Sequence, residues 1–180
     1  MAKPQVSIEV DPETGVWTTD GLAMLYVPRH FFVNNHLAVE AALGRETYAP
    51  SLYEAGYKSA HAWCEAEAET HGLAGMAVFH HYMKRLSQRG WGLFDGSDID
   101  PASGCGRVRL DHSCFVEHQG AAELQGGAGR KLCYMCAGWF PGALDWVGHD
   151  LGLGWALAAE EVTCTGEGCG HCAFEVTPAG

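Results

Sequence analysis

The sequence lacks the features that would place the chain in or across a membrane. Its longest apolar stretches are interrupted by His, Lys, Gly or acidic residues, and none reaches the length of a transmembrane helix. The first ten residues also lack the apolar core of a secretory signal peptide. We therefore expect a cytoplasmic protein without a membrane partner.

Positive charge is scarce as well. The chain has 11 Lys and Arg against 22 Asp and Glu, which gives a formal net charge of −11. Basic residues occur as isolated pairs, such as Lys84-Arg85 and Arg130-Lys131. Because binding to nucleic acid or to an anionic membrane requires a basic patch, we expect neither as a partner.

Common catalytic motifs are missing too. There is no glycine-rich dinucleotide fingerprint in a strand–helix setting, no phosphate-binding P-loop and no nucleophile elbow. Hydride transfer needs a bound cofactor, and the chain shows no motif that would hold one. We therefore expect binding or assembly rather than catalysis, and assign no catalytic residue.

The residues that are present predict a single α+β domain over 1–180. Hydrophobic residues make up 47% of the 180 residues and charged residues 18%, which is typical of a globular chain. Turn-forming residues at 11–15 predict a hairpin within 1–20. The spacing of hydrophobic residues along the chain, together with helix-capping patterns, predicts a helical layer packed on an antiparallel sheet. The predicted helices are 28–44, 51–72, 73–90 and 131–148, and the predicted strands are 91–94, 108–116, 155–163 and 172–177.

Eight cysteines are the main chemical signal. This is about half the density typical of a disulfide scaffold, and in a reducing compartment clustered cysteines indicate metal or redox chemistry. The pairs Cys133/Cys136 and Cys169/Cys172 each have C-x-x-C spacing. Spacing alone leaves open a four-cysteine zinc site, an iron–sulfur cluster and dithiol redox couples.

Longer patterns resemble a known family. The first is Cys133-x(4)-Gly138-x(3)-Gly142, and the second is E-x(2)-C-x(3)-G-x(3)-C-x-F from Glu161 to Phe174. Together they resemble the 4-vinyl reductase domain family, which includes the sensory domains of phenol- and xylene-responsive activators and is similar in fold to TRAPP-type assembly proteins. More diffuse similarity extends through the N-terminal half.

The resemblance implies a zinc site at the C-terminal end of the domain. Its ligands would be Cys133, Glu161, Cys164 and Cys172, carried by a helix and a hairpin within 130–178. Three sulfurs and one carboxylate would fill a tetrahedral shell, which is typical of a structural site. Pro141, inside the predicted helix, is expected to kink it.

The resemblance also implies a small-molecule pocket near the zinc. His80 is expected on the apolar stripe of the third helix and His112 on the inward side of the central strand. Trp63, Phe79 and Trp139 are expected to join them around an apolar cavity. A core role for these residues remains an alternative.

Three functions follow as hypotheses. The preferred one is a zinc-stabilised, sensor-like domain that binds a small apolar or aromatic molecule and has no output domain of its own. The second is a homodimeric accessory subunit of a metabolic enzyme complex, for example with a flavin-dependent dehydrogenase. The third is a vinyl-group reductase or an iron–sulfur electron-transfer protein.

Overall fold

The computed structural model describes residues 6–116 and 129–180, and these form two sheets and four α-helices. Residues 1–5 of the predicted N-terminal segment lie outside the described residues. In the described part, no helix is both long and apolar enough to cross a membrane. The elements are β1 (Glu9–Val10), β2 (Trp17–Thr19), β3 (Leu22–Met24), α1 (Arg29–Leu43), α2 (Arg45–His71), α3 (Met76–Gln88), β4 (Leu93–Asp95), β5 (Gly106–Asp111), α4 (Tyr134–Asp150), β6 (Leu157–Thr163), a 3-10 helix (Thr165–Glu167) and β7 (Cys172–Pro178).

The main sheet has the strand order β4-β5-β7-β6, with every pair antiparallel. Val108 on β5 stands opposite Phe174 on β7, and both side chains are buried. Phe174 packs edge-on against Phe140 of α4, with ring centroids 4.8 Å apart. The predicted α+β architecture, with helices packed on an antiparallel sheet, is confirmed.

The predicted N-terminal hairpin is present but is part of a three-stranded meander. Asp11 shapes the first turn, because its Oδ1 accepts the amide of Glu13 at 2.8 Å. The second turn, Asp20-Gly21, joins β2 to β3 with φ values of 54° and 75°. Asp-Gly is a strong hairpin signal because both positions need positive φ, and the sequence analysis missed it.

The predicted start of the second helix is wrong. Helix α2 begins at Arg45, six residues before the predicted start, and Pro50 lies inside it. Ser51 does not cap a helix N-terminus; its Oγ donates to the carbonyl of Thr47 at 2.7 Å. A proline beyond the first turn removes one backbone hydrogen bond and crowds the carbonyl four residues earlier, yet α2 continues through Pro50.

Helix α4 lies against α2, and glycines set how closely the two helices approach. A Cβ added at Gly138 would lie 2.0 Å from the carbonyl oxygen of Tyr53, and one at Gly142 would lie 2.3 Å from that of Tyr57. From the other side, a Cβ at Gly56 would lie 2.4 Å from the carbonyl oxygen of Met135. The two backbones therefore touch where side chains are absent.

A half-buried hydrogen-bond network ties α2 and α4 to the sheet. Asp145 on α4 accepts a hydrogen bond from the Tyr57 hydroxyl at 2.8 Å and another from the Leu157 amide at 3.0 Å. Helix α4 runs unbroken past Pro141 to Asp150. The C-terminal half of α4 is thereby tied to α2 and to the first residue of β6.

Candidate metal centre

Four potential metal donors meet where α4 begins and where β6 and β7 are joined. Cys133 immediately precedes α4, Glu161 lies on β6, Cys164 follows β6, and Cys172 begins β7. Their ligand atoms all lie within 4.8 Å of one another, and all four side chains are buried. These are the four residues that the family resemblance implied.

The sulfur separations suit a tetrahedral metal rather than a disulfide. The Sγ of Cys172 lies 3.8 Å from the Sγ of Cys133 and 3.8 Å from the Sγ of Cys164. Metal–sulfur bonds of about 2.3 Å in a tetrahedron place neighbouring sulfurs about 3.8 Å apart. A disulfide would require about 2.05 Å, and all eight cysteines are free.

The carboxylate of Glu161 has one oxygen in use and one without a partner. Its Oε2 accepts the backbone amide of Cys133 at 3.1 Å. Its Oε1 is buried and has no hydrogen-bond partner in the described part of the chain. Burial raises the pKa of Glu161 to about 8, because a charged carboxylate is costly away from water and without a counter-charge. A bound cation would supply that charge and use the orphaned oxygen.

Hydrogen-bond donors surround the sulfurs. The amide of Thr165 points at the Sγ of Cys172 at 3.4 Å, and the amide of Gly166 points at the Sγ of Cys164 at 3.3 Å. Hydrogen bonds with Cys133 and Cys164, opposed by burial, lower the pKa of the Cys172 thiol. The hydroxyl of Ser113 lies 3.2 Å from the Sγ of Cys133. Donors to sulfur of this kind stabilise thiolates, the form in which cysteine binds metals.

The other two cysteines of the C-x-x-C pairs lie outside this group of four donors. Cys136 is buried on the first turn of α4, whereas Cys169 is exposed in the loop before β7. The structure therefore does not bring the two C-x-x-C pairs together as one quartet. The donor set that it does bring together is three sulfurs and one carboxylate, which could hold a metal ion.

The inward orientation expected for His80 and His112 is wrong. Helix α3 buries Val78, Phe79, Tyr82, Met83 and Leu86, so position 80 lies on its outer face and His80 is exposed. Strand β5 ends at Asp111, and His112 follows with φ of 57°. The alternation of side chains stops there, and His112 is exposed.

The three predicted aromatic pocket residues lie in or at the edge of the core. Phe79 and Trp139 are buried, and Trp139 meets Trp91 edge-on at 5.1 Å. Trp63 is half-buried and stacks on His81 at 6.0 Å. Contact between a ligand and any of the five predicted pocket residues stays a prediction.

A small cavity lies elsewhere and was missed by the sequence analysis. It has a volume of about 140 Å³ and lies between the segment after β3, the end of α3 and the loop after β5. Cys114 in its wall donates its amide to the Trp91 carbonyl at 2.9 Å. Its wall is formed by Met24, Leu25, Tyr26, Val27, Arg29, Phe32, Arg89, Gly90, Trp91 and Cys114. They come from separate elements, so no local pattern indicates them.

Sequence comparison gives the family. A sequence model described as "Domain of unknown function (DUF5943)" matches residues 2–97. The chain belongs to the DUF5943 family. The matched residues make up just over half of the DUF5943 chain and end before the first donor of the metal centre. No curated protein sequence matches this DUF5943 chain.

Solved structures resemble the DUF5943 chain in fold. The phenol-responsive sensory domain of the transcription activator PoxR, solved with phenol, has a TM-score of 0.73 at 16% identity and covers 95% of this chain and 84% of its own. A vinyl-4-reductase family protein from Methanocaldococcus jannaschii has a TM-score of 0.55 at 19% identity, and the match covers 87% of this chain and 85% of that protein. Subunit 3 of a trafficking protein particle complex from Naegleria fowleri, covalently bound to palmitic acid, has a TM-score of 0.53 at 14% identity. The match covers 84% of this chain and 95% of that subunit. At these identities the similarity is one of fold, and the predicted resemblance is confirmed at that level.

Proposed function

We propose that this DUF5943 chain is a sensor-like domain that binds a small aromatic or apolar molecule and is stabilised by one zinc ion. The observation that carries the proposal is the similarity in fold, over 95% of the chain, to a sensory domain solved with phenol. The buried donor set and the aromatic-walled cavity support it independently. Zinc would be held by Cys133, Glu161, Cys164 and Cys172.

Zinc is the proposed metal because the donor set is sulfur-rich and has no water-accessible position. Metal analysis of protein purified without added metal should give about one zinc per chain, in a colourless solution. Zinc has a filled d shell and does not absorb visible light. Iron together with a brown colour would contradict the proposal and would indicate an iron–sulfur cluster instead.

The cavity has the size of a single aromatic ring. Its volume is about 140 Å³, close to the roughly 150 Å³ of a cavity that binds benzene. Its wall also contains Arg29 and Arg89, and it is open to solvent beside the exposed Tyr26. Phe32 and Trp91 meet edge-on in its wall at 5.3 Å. Aromatic walls favour a ring that can stack or pack edge-on against them.

One loop links this cavity to the metal centre. Cys114 lines the cavity, and its neighbour Ser113 places its hydroxyl 3.2 Å from the Sγ of Cys133. Ser113 also accepts the amide of Phe115 at 3.2 Å, which holds the loop in a tight turn. A ligand that displaces Cys114 would therefore shift a group in contact with the metal-binding sulfur, which is a route for a binding signal.

Phenol and related one-ring compounds should raise the melting temperature of the metal-loaded protein. At a ligand concentration of about 100 times Kd the gain is about 2.7 kcal/mol, or roughly 5–10 °C for a domain of this size. Cys114→Met should abolish the shift by filling the cavity. Cys105→Met, outside the cavity wall, is the control that should keep it. The absence of a shift with every one-ring aromatic tested would refute ligand binding at this cavity.

The state of the cysteines supports a cytoplasmic location. All eight are free, including six that are buried: Cys64, Cys114, Cys133, Cys136, Cys164 and Cys172. Free thiols in this number persist in a reducing compartment. We propose the cytoplasm on this ground.

An accessory-subunit role is the second candidate, favoured by an exposed apolar surface on the N-terminal meander. Trp17 stacks on Tyr26 at 5.9 Å, and both remain exposed, as do Ile8, Val10, Val16 and Leu25. Apolar clusters of this kind mark contact surfaces. The proposed occupant is a second copy of the chain, with a larger enzyme as a further partner. Light scattering during gel filtration should then give a molar mass of twice that of the chain. The Trp17→Glu variant should give the mass of a single chain.

A further inference from the structure

A second group of potential metal ligands lies apart from the cysteine centre, between α2 and α3. The Nε2 atoms of His81 and His71 both face the Oε2 of Glu67, at 2.7 Å and 3.1 Å. The three ligand atoms all lie within 4.8 Å of one another. Glu67 and His71 are one turn apart on α2, and His81 is contributed by α3.

The cluster is anchored on one side and open on the other. The side chain of Glu67 is 1% exposed, while those of His71 and His81 are 29% and 18% exposed. A donor set that is buried at the carboxylate and reaches solvent at the imidazoles leaves room for water on an ion. The cysteine centre, by contrast, is closed.

Neighbouring side chains hold the three donors in place. The ring of Trp63 stacks on His81 at 6.0 Å. The Nη2 of Arg89 lies 3.7 Å from Oε1 of Glu67, which leaves Oε2 facing the two histidines. Contacts of this kind fix the orientation of metal ligands.

The local charge also permits a cation. Two arginines lie beside the cluster, but Asp20 accepts from both, from Arg85 at 2.8 Å and from Arg89 at 3.0 Å. With Glu67, the two carboxylates balance the two guanidiniums. The two histidines therefore face carboxylates and guanidiniums whose charges balance.

We propose that Glu67, His71 and His81 form an open site for a divalent transition-metal ion such as Zn²⁺ or Co²⁺. Two imidazole nitrogens and one carboxylate oxygen are ligands that these ions favour. Metal–ligand bonds of about 2.1 Å place neighbouring donors about 3.0 Å apart at right angles and about 3.4 Å apart in a tetrahedron. The separations of 2.7 and 3.1 Å would therefore widen by a few tenths of an ångström when an ion binds. The remaining positions on the ion would hold water or an exchangeable small ligand.

The test is a metal count on the full chain after dialysis against excess Zn²⁺ at neutral pH and removal of free metal. His81→Ala should hold one ion fewer per chain than the unmodified protein, and its affinity at this site should fall at least about tenfold. His80→Ala is the matched control, because it removes an exposed neighbouring histidine outside the cluster. It should keep the full count.

The difference between the two variants does not depend on the cysteine centre. If that centre binds zinc, the counts should be about two for the unmodified chain and one for His81→Ala; if it does not, they should be about one and zero. Equal counts in the unmodified chain and in His81→Ala, at an unchanged melting temperature, would overturn the proposal. That result would leave Glu67 as the shared acceptor of two histidine N–H groups. If His81→Ala melts at a lower temperature, His71→Gln is the second variant and is expected to lose the same ion.

Discussion

Replacing Cys164 by Ser should remove the bound metal and leave the domain largely unfolded. The Sγ of Cys164 lies 3.8 Å from that of Cys172, inside the buried donor group. A serine hydroxyl is a much poorer ligand for zinc than a thiolate. Structural zinc binding contributes an apparent free energy of about 10–16 kcal/mol, which exceeds the stability of most domains. This is the largest effect that we expect from a single substitution.

The reason lies in what the metal centre joins. Cys133 precedes α4, while Cys164 and Cys172 flank the 3-10 turn between β6 and β7. Without a metal, the carboxyl of Glu161 and the thiols remain buried beside one another with too few partners. An unsatisfied buried polar group of this kind costs about 1–3 kcal/mol in addition to the lost metal.

Metal content and thermal unfolding measure this prediction, with Cys169→Ser as the matched control. Cys169 is exposed and lies outside the donor group, so its replacement should leave the metal and the melting temperature unchanged. Retained metal in Cys164→Ser together with lost metal in Cys169→Ser would show that the two C-x-x-C pairs form the site instead.

Replacing Gly138 by Ala should destabilise the domain by about 3 kcal/mol. Alanine is a better helix former than glycine by about 1 kcal/mol, so an isolated helix would gain stability. In the folded domain the added Cβ would lie 2.0 Å from the carbonyl oxygen of Tyr53 and 2.9 Å from the amide nitrogen of Tyr57. Both are backbone atoms of α2 and cannot rotate away. The two helices must therefore move apart, so that the substitution destabilises the folded domain although it would stabilise an isolated helix.

Denaturant unfolding of metal-loaded protein measures the change, and Gly170→Ala is the control. A Cβ at Gly170 meets no atom within 4 Å, and the residue has no positive φ. Its substitution should change stability by less than about 0.5 kcal/mol. A Gly138→Ala protein as stable as the unmodified chain would mean that α2 and α4 are farther apart in solution than the structure places them.

Several parts of the fold could be predicted because their signals are local. The turn residues between β1 and β2 predicted the hairpin, and Gly44 and Gly72 marked helix ends, where both have positive φ. The start of α2 could not be predicted in this way. A serine followed by glutamate three residues later looks like a helix cap, but α2 begins six residues earlier, at Arg45. The guanidinium of Arg45 lies 5.3 Å from the ring of Tyr134 on α4, a contact that no local pattern shows.

One of the two candidate sites could be predicted and the other could not. The spacing of Cys133, Glu161, Cys164 and Cys172, together with the family resemblance, was enough to choose the donors that the structure groups together. The residues of the pocket could not be predicted in this way. His112 follows an alternating strand, and only the turn at φ of 57° shows that the alternation ends before it.

The sequence by itself determined the fold class, because the periodicity of hydrophobic residues and the turn residues are short-range features of the chain. The cysteine–glutamate donor set came from the resemblance to the 4-vinyl reductase domain family, since cysteine spacing alone left other quartets open. Only the tertiary structure decided which residues line the cavity and that Glu67, His71 and His81 converge. The cavity wall combines segments far apart in the sequence. His81 meets Glu67 and His71 only because α3 packs against α2. Such packing is set by the sum of many weak contacts, and no local pattern records it.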